Sequence, residues 1–261
     1  MDKRKVSPRS GRKWMIIAAV TLVVTVVLVV FFMQWHSNRE EQKKVDKGVA
    51  YLTKLEKQNV SEIGETIDAI HAEQNLALAD SDEAAVWISF ENAAVLGDSR
   101  AVGFSFHEFL PEERVMAQGG GKITDVPQYY DQLKALNPDK IFLCFGLNDV
   151  GIGLWPTGEE YAAECEQQIK ALQAELPDSQ IYLNSILPAV GIGLEADPDY
   201  PRIGEYNEAL KKMTEEKGYH FIDNALVTEE HQDLYQEDGL HVQPDFYKYW
   251  AANMIAGVNE S

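Results

Sequence analysis

Over the last two thirds of the chain, hydrophobic positions follow two periods in turn. Short apolar runs lie at Ala93–Leu96, Val115–Ala117, Ile141–Phe145, Ile181–Leu187 and His220–Ile222. Helix-like stretches fill the intervals and the end: Ser99–Leu110, Val126–Leu136, Gly158–Leu176, Tyr206–Lys217 and Pro244–Val258. Val86–Phe90 reads as a further short strand or as a lead-in. Strands that alternate with helices predict a parallel sheet, since each crossover has to carry the chain back to the edge it left, and helices then cover both faces. The expectation is an α/β domain over 86–261, with five parallel strands in a three-layer α/β/α arrangement. Side chains that act on a ligand then belong just past the carboxyl ends of the strands.

A different texture precedes the domain. From Trp14 to Met33 the chain reads WMIIAAVTLVVTVVLVVFFM, without a charge. At helical rise that run spans ~30 Å, the thickness of a bilayer core. Arg12 and Lys13 stand before it, and Trp14 and Trp35 mark its two ends as interface residues do. The expectation is a transmembrane anchor over 14–35, a cytoplasmic basic tail over 1–13, and an extracytoplasmic body. A cleaved signal peptide is the rival reading; against it, the run is long, and Gln34, Trp35 and His36 offer no small-residue cleavage site. Residues 36–85 read as a helical stalk. Val45, Val49, Leu52 and Leu55 form one stripe; Ile63, Ile67 and Ile70 form another, behind Ser61 as its cap. A stripe of this kind packs on its own domain or against a second copy.

Charge narrows the choice of partners. The 261 residues carry −19 overall, and the net +5 of residues 1–35 leaves −24 for the rest. So acidic a body repels polyanions, which excludes nucleic acid as a partner. Two cysteines, Cys144 and Cys165, with no CxxC, make no disulfide framework and read as free thiols. No HExxH or clustered His/Asp set suggests a metal, and no cofactor is expected.

Four loops at the expected sheet edge carry candidate chemistry: Gly97-Asp98-Ser99, Gly119-Gly120-Gly121, Gly146-Leu147-Asn148-Asp149, and Asp238-Gly239-Leu240-His241. Ser99 would open a helix, where the dipole favours negative charge and a backbone N–H is free for an oxyanion. His241 can take the proton of its hydroxyl, and Asp238, three residues earlier, can hold the ring. Asn148 can donate a side-chain N–H, and a glycine of 119–121 can bring a backbone N–H close. Each piece alone has a plainer role: Ser99 as a helix cap, Asn148 and Asp149 as turn formers, the glycines as a loose loop, Asp238-Gly239 as a turn.

Together, in this order, the four blocks resemble those of the SGNH (GDSL-type) hydrolases, over roughly Asn92 to Val258. The resemblance implies a flavodoxin-like fold and ester chemistry, with Ser99 as nucleophile and first oxyanion donor, Asn148 as side-chain donor, His241 as base and Asp238 as its orienting acid. GGGKITD matches the family's Gly-Gly-Asp-Thr-Thr version best with Gly121 as the second backbone donor, and Gly120 next. Lys122 stands where that version has an acid, and Arg100 stands in place of the leucine of the name-giving motif.

Substrate contacts are expected from Gly120, Arg100, Asp149, Ile152, Trp155 and Ile192. The pentapeptide VGIGL occurs twice, at Val150–Leu154 and Val190–Leu194, with apolar tips beside the expected site. Trp155 either stacks on a sugar ring or packs half-buried. The implied substrate is an acylated small molecule or glycan, with O-acetyl groups on envelope glycans first and lipid esters second. The alternative to an enzyme is an anchored binding protein on the same fold.

Overall fold

The computed structural model describes residues 79–259, together with Lys43, Lys47 and Ala77. The chain divides into two units, Met1–Thr66 and Ile67–Ser261, and every element named below belongs to the second. The basic tail over 1–13, the anchor over 14–35 and both apolar stripes of the stalk lie outside the described residues. Among the described residues, no helix is long and apolar enough to cross a membrane.

Strands β1 (Ala93–Gly97), β2 (Val115–Ala117), β3 (Lys140–Cys144), β4 (Gln180–Asn184) and β5 (His220–Ile222) form one sheet in the order β2-β1-β3-β4-β5. Every neighbouring pair is parallel, and Val95 stands opposite both Val115 and Phe142. From Glu83 onward the α-helices are α1 (Glu83–Ile88), α2 (Ser99–Phe106), α3 (Tyr130–Leu136), α4 (Leu147–Gly151), α5 (Gly158–Glu175), α6 (Ile203–Lys217), α7 (Ala225–Glu230) and α8 (Phe246–Asn259).

Alternate residues of each strand feed two cores. Val95, Phe142 and Cys144 meet Phe104 of α2 and Phe246 and Trp250 of α8 on one face. Leu96, Ile141 and Leu143 meet Leu133 of α3, Ile169 of α5 and Leu210 of α6 on the other. Burial on both faces is why the strands read as unbroken apolar runs rather than as alternating ones. Each fully buried aromatic such as Phe104 or Phe142 contributes roughly 1.5–3 kcal/mol. Cys144 and Cys165 belong to opposite cores and are unbridged.

Three expectations shift. Of the two readings of Val86–Phe90 the lead-in holds and the strand does not: Asp82 caps α1 by accepting the Ala85 amide at 3.2 Å, and the helix runs to Ile88 ahead of β1. The Val126–Leu136 helix begins instead as a 3-10 segment, Ile123–Tyr129, which carries Pro127, and becomes α-helical at Tyr130. The Ile181–Leu187 run leaves the sheet at Asn184, because β5 offers only three residues to pair with. Residues 185–187 continue past the edge outside the sheet, held first at Ser185 N, which donates to the Ile222 carbonyl at 2.8 Å.

The chain leaves β1 toward one core and β3 toward the other. Their carboxyl ends therefore part around a crevice, the switch point at which such sheets bind ligands.

Candidate active site

Ser99 is the first residue of α2, with one residue, Asp98, between it and the end of β1. It is not the cap. Asp98 accepts the Arg100 amide at 3.0 Å and does the capping. The Ser99 hydroxyl is thereby left over for another partner, and it lies 3.0 Å from Nε2 of His241. An amide at the first helical position has no intrahelical acceptor, so the Ser99 N–H remains available as well.

The imidazole is held from behind. Asp238 Oδ1 accepts the backbone amides of Leu240 at 2.9 Å and His241 at 3.0 Å, and Oδ2 lies 2.6 Å from His241 Nδ1. A carboxylate only accepts, so the ring proton belongs on Nδ1 and the Nε2 lone pair faces the serine. Burial works to raise the Asp238 pKa. Hydrogen bonds from the His241 ring, then from the His241 and Leu240 amides, outweigh it and hold the group below its ordinary value.

The turn that carries both residues is backed by the second VGIGL copy. Gly239 has φ +67, and a Cβ there would lie 2.0 Å from the Val190 carbonyl oxygen. Only glycine admits that approach in that conformation.

Asn148 is the second residue of α4, reached from β3. Its Nδ2 donates to the Gly121 carbonyl at 3.1 Å, which leaves one amide hydrogen for a ligand. Gly121 presses on the Ser99 turn: a Cβ there would sit 2.8 Å from the Gly97 oxygen and 3.3 Å from Asp98 Cα. Gly120 is exposed, and a Cβ there would meet nothing within 4 Å. Of the two candidate glycines it is Gly121 that borders the site. Its amide, however, donates to the Gln118 carbonyl at 3.1 Å and closes a turn. In this conformation that N–H is committed to the loop, which leaves the Ser99 amide and the second amide hydrogen of Asn148 as the candidate donors.

The structure thus brings Ser99, His241, Asp238, Asn148 and Gly121 together from four loops. Two other expectations do not hold as substrate contacts. Arg100 is 3% exposed, with its guanidinium paired to Asp98 at 3.2 Å. Asp149 is fully buried, and its Oδ1 accepts the Ile123 amide at 3.0 Å. Neither can reach a ligand; each stands beside a site residue in the chain, but its side chain turns into the protein to pair with Asp98 or with the Ile123 amide. Trp155 is half-buried, its ring 5.5 Å from that of Tyr161. Ile152 and Ile192 are exposed, as are Leu154 and Leu194. Among the described residues no cluster of His, Cys, Asp and Glu could hold a metal ion. The contact between the Arg100 guanidinium and the Leu187 carbonyl has no signal in the sequence, since the two lie 87 positions apart.

Residues 95–249 match the sequence pattern of the GDSL-like lipase/acylhydrolase family. The chain belongs to this family. Solved structures share its fold. A lipase/acylhydrolase from Enterococcus faecalis is 18% identical with a TM-score of 0.51, over 65% of this chain and 96% of that one. A GDSL-like lipase from Bacteroides thetaiotaomicron is 15% identical with a TM-score of 0.53, over 74% of this chain and 97% of that one. No curated protein matches in sequence. Membership of the GDSL family supports an ester-bond hydrolase.

Proposed function

We propose that this GDSL-family chain is a serine esterase that works through Ser99, His241 and Asp238. The 3.0 Å contact between the Ser99 hydroxyl and His241 Nε2 carries the reading. The hydroxyl proton passes to Nε2 as Oγ attacks the ester carbonyl carbon. The negative charge that forms on the carbonyl oxygen is met by the Ser99 amide and the Asn148 side chain. Collapse expels the alcohol, which leaves with the proton from His241, and the acyl group stays on Ser99. Water, deprotonated by the same ring, releases the acid; an alcohol in its place would complete an acyl transfer.

The proposed location is the outer face of a cell membrane. Its support is the charge-free Trp14–Met33 run behind the basic residues Lys3 to Lys13. An enzyme so placed meets envelope glycans, and short acyl groups on them, acetyl first, are the proposed substrates. A second reading, lipid esters, is favoured by the exposed tips Ile152, Leu154, Ile192 and Leu194, whose loops adjoin Asn148 and Gly239.

Turnover of p-nitrophenyl esters from acetate to decanoate, and of acetylated glycans, tests both. The proposal expects activity that falls with chain length and vanishes in Ser99→Ala. Activity that rises with chain length favours the lipid reading, and full activity in Ser99→Ala removes the mechanism.

A further inference from the structure

Arg100 follows the nucleophile directly, and a buried guanidinium is costly unless its donors are used. All three nitrogens are used. Nε and Nη2 face Asp98 at 3.4 and 3.2 Å, and Nη1 donates to the Leu187 carbonyl at 2.5 Å. The near end is fixed to the nucleophile turn. Asp98 accepts the Arg100 amide at 3.0 Å, and the Tyr247 hydroxyl donates to the Arg100 carbonyl at 2.8 Å.

The far end grips the segment that leaves the sheet after β4. That segment is held from three further sides. Asn207 of α6 bonds both polar backbone groups of Ile186, accepting the amide at 2.8 Å and donating to the carbonyl at 2.9 Å. The Tyr235 hydroxyl donates to the Pro188 carbonyl at 3.0 Å. Val190 N donates to the Gly239 carbonyl at 2.8 Å. Gly239 lies inside the turn that presents Asp238 and His241. A continuous path of short contacts therefore runs from the turn of Ser99, through Arg100 and residues 187–190, to the turn of His241.

We infer that Arg100 is a positioning residue: its planar fork spans from the Ser99 turn to the 187–190 segment, and through that segment sets the reach of the His241 imidazole to the Ser99 hydroxyl. The inference rests on the serine-esterase reading. The leucine of the name-giving motif could fill the volume but could not bond at both ends. Lysine, with one point charge, can serve Asp98 or Leu187 but not both in this geometry. Because Arg100 has no surface to offer a ligand, its loss acts on the rate of chemistry and not on substrate binding.

The test is steady-state hydrolysis of p-nitrophenyl acetate by the full chain in detergent, with wild type, Arg100→Lys and Tyr235→Phe, each checked for folding by circular dichroism. Misplacing a reacting group by about 1 Å costs on the order of 100-fold, so Arg100→Lys should lower kcat by roughly 10- to 100-fold, with KM within about twofold. Tyr235→Phe removes one grip on the same segment without touching the buried charge, and should lower kcat in the same direction by a few-fold. Folded Arg100→Lys with wild-type kcat, or with its loss confined to KM, overturns the inference. If Arg100→Lys does not fold, Tyr235→Phe decides, and an unchanged kcat overturns it. A wild type without turnover sinks the esterase reading and this role together, whereas an active wild type with indifferent variants sinks this role alone.

Discussion

Gly239 accepts the Val190 amide at 2.8 Å, and a Cβ at Gly239 would lie 2.0 Å from the Val190 carbonyl oxygen. This backbone contact joins the second VGIGL copy to the turn that bears Asp238 and His241. Gly239→Ala has to break it, and it also places a side chain at φ +67. A left-handed non-glycine residue costs roughly 1–2 kcal/mol before the clash is counted. The expected outcome is a lower thermal midpoint together with at least a tenfold loss of ester turnover. Melting curves and p-nitrophenyl acetate kinetics on the same preparation check both.

Asn148 is expected to matter to rate more than to affinity. Loss of one oxyanion donor typically costs on the order of 10²–10³ in kcat. Asn148→Ala should therefore lower kcat by that factor while KM moves little. Steady-state kinetics decide; a change confined to KM would reassign Asn148 to ground-state binding.

Asp149 links the Asn148 loop to the segment after the three glycines through its bond to the Ile123 amide, and its Oδ2 has no partner. Burial pushes its pKa up to about 7, against the pull of that amide. An unfolded aspartate titrates near ~3.9, so between about pH 4 and 7 the folded state holds a proton that the unfolded state has lost. The stability this contributes is full below about pH 4 and is lost as pH rises through about 7. Between pH 5 and pH 8 it amounts to about 2–3 kcal/mol. Asp149→Asn, neutral in both states, lacks this component. Urea unfolding at the two pH values should therefore show a smaller drop for Asp149→Asn than for wild type; equal drops would contradict the raised pKa.

The sheet was legible because its strands are covered on both faces, so that Ala93–Leu96 and Ile141–Phe145 stand out as uninterrupted apolar runs against charged helices. The nearness of Ser99 and Asn148 was legible because a parallel sheet sends the carboxyl ends of β1 and β3 to one edge; Asp238 and His241 follow no strand directly and were legible through the order of the four blocks. What escaped is set by tertiary contact. Nothing near Arg100 in the chain announces that Leu187 waits for its guanidinium 87 positions on. The five-residue helix α4 looks like a turn, since Gly146-Leu147-Asn148-Asp149 is turn chemistry by composition. The commitment of the Gly121 amide to Gln118 depends on how the glycine turn folds back, and three glycines in a row leave that open.

The central claim is that His241 activates Ser99. The most direct measurement is intact-mass and peptide mass spectrometry of the chain after exposure to a fluorophosphonate, with His241→Ala beside wild type. A single adduct on Ser99 in wild type, slowed by orders of magnitude in His241→Ala, is the predicted result. No adduct, an adduct on another residue, or equal labelling of the two proteins would contradict it.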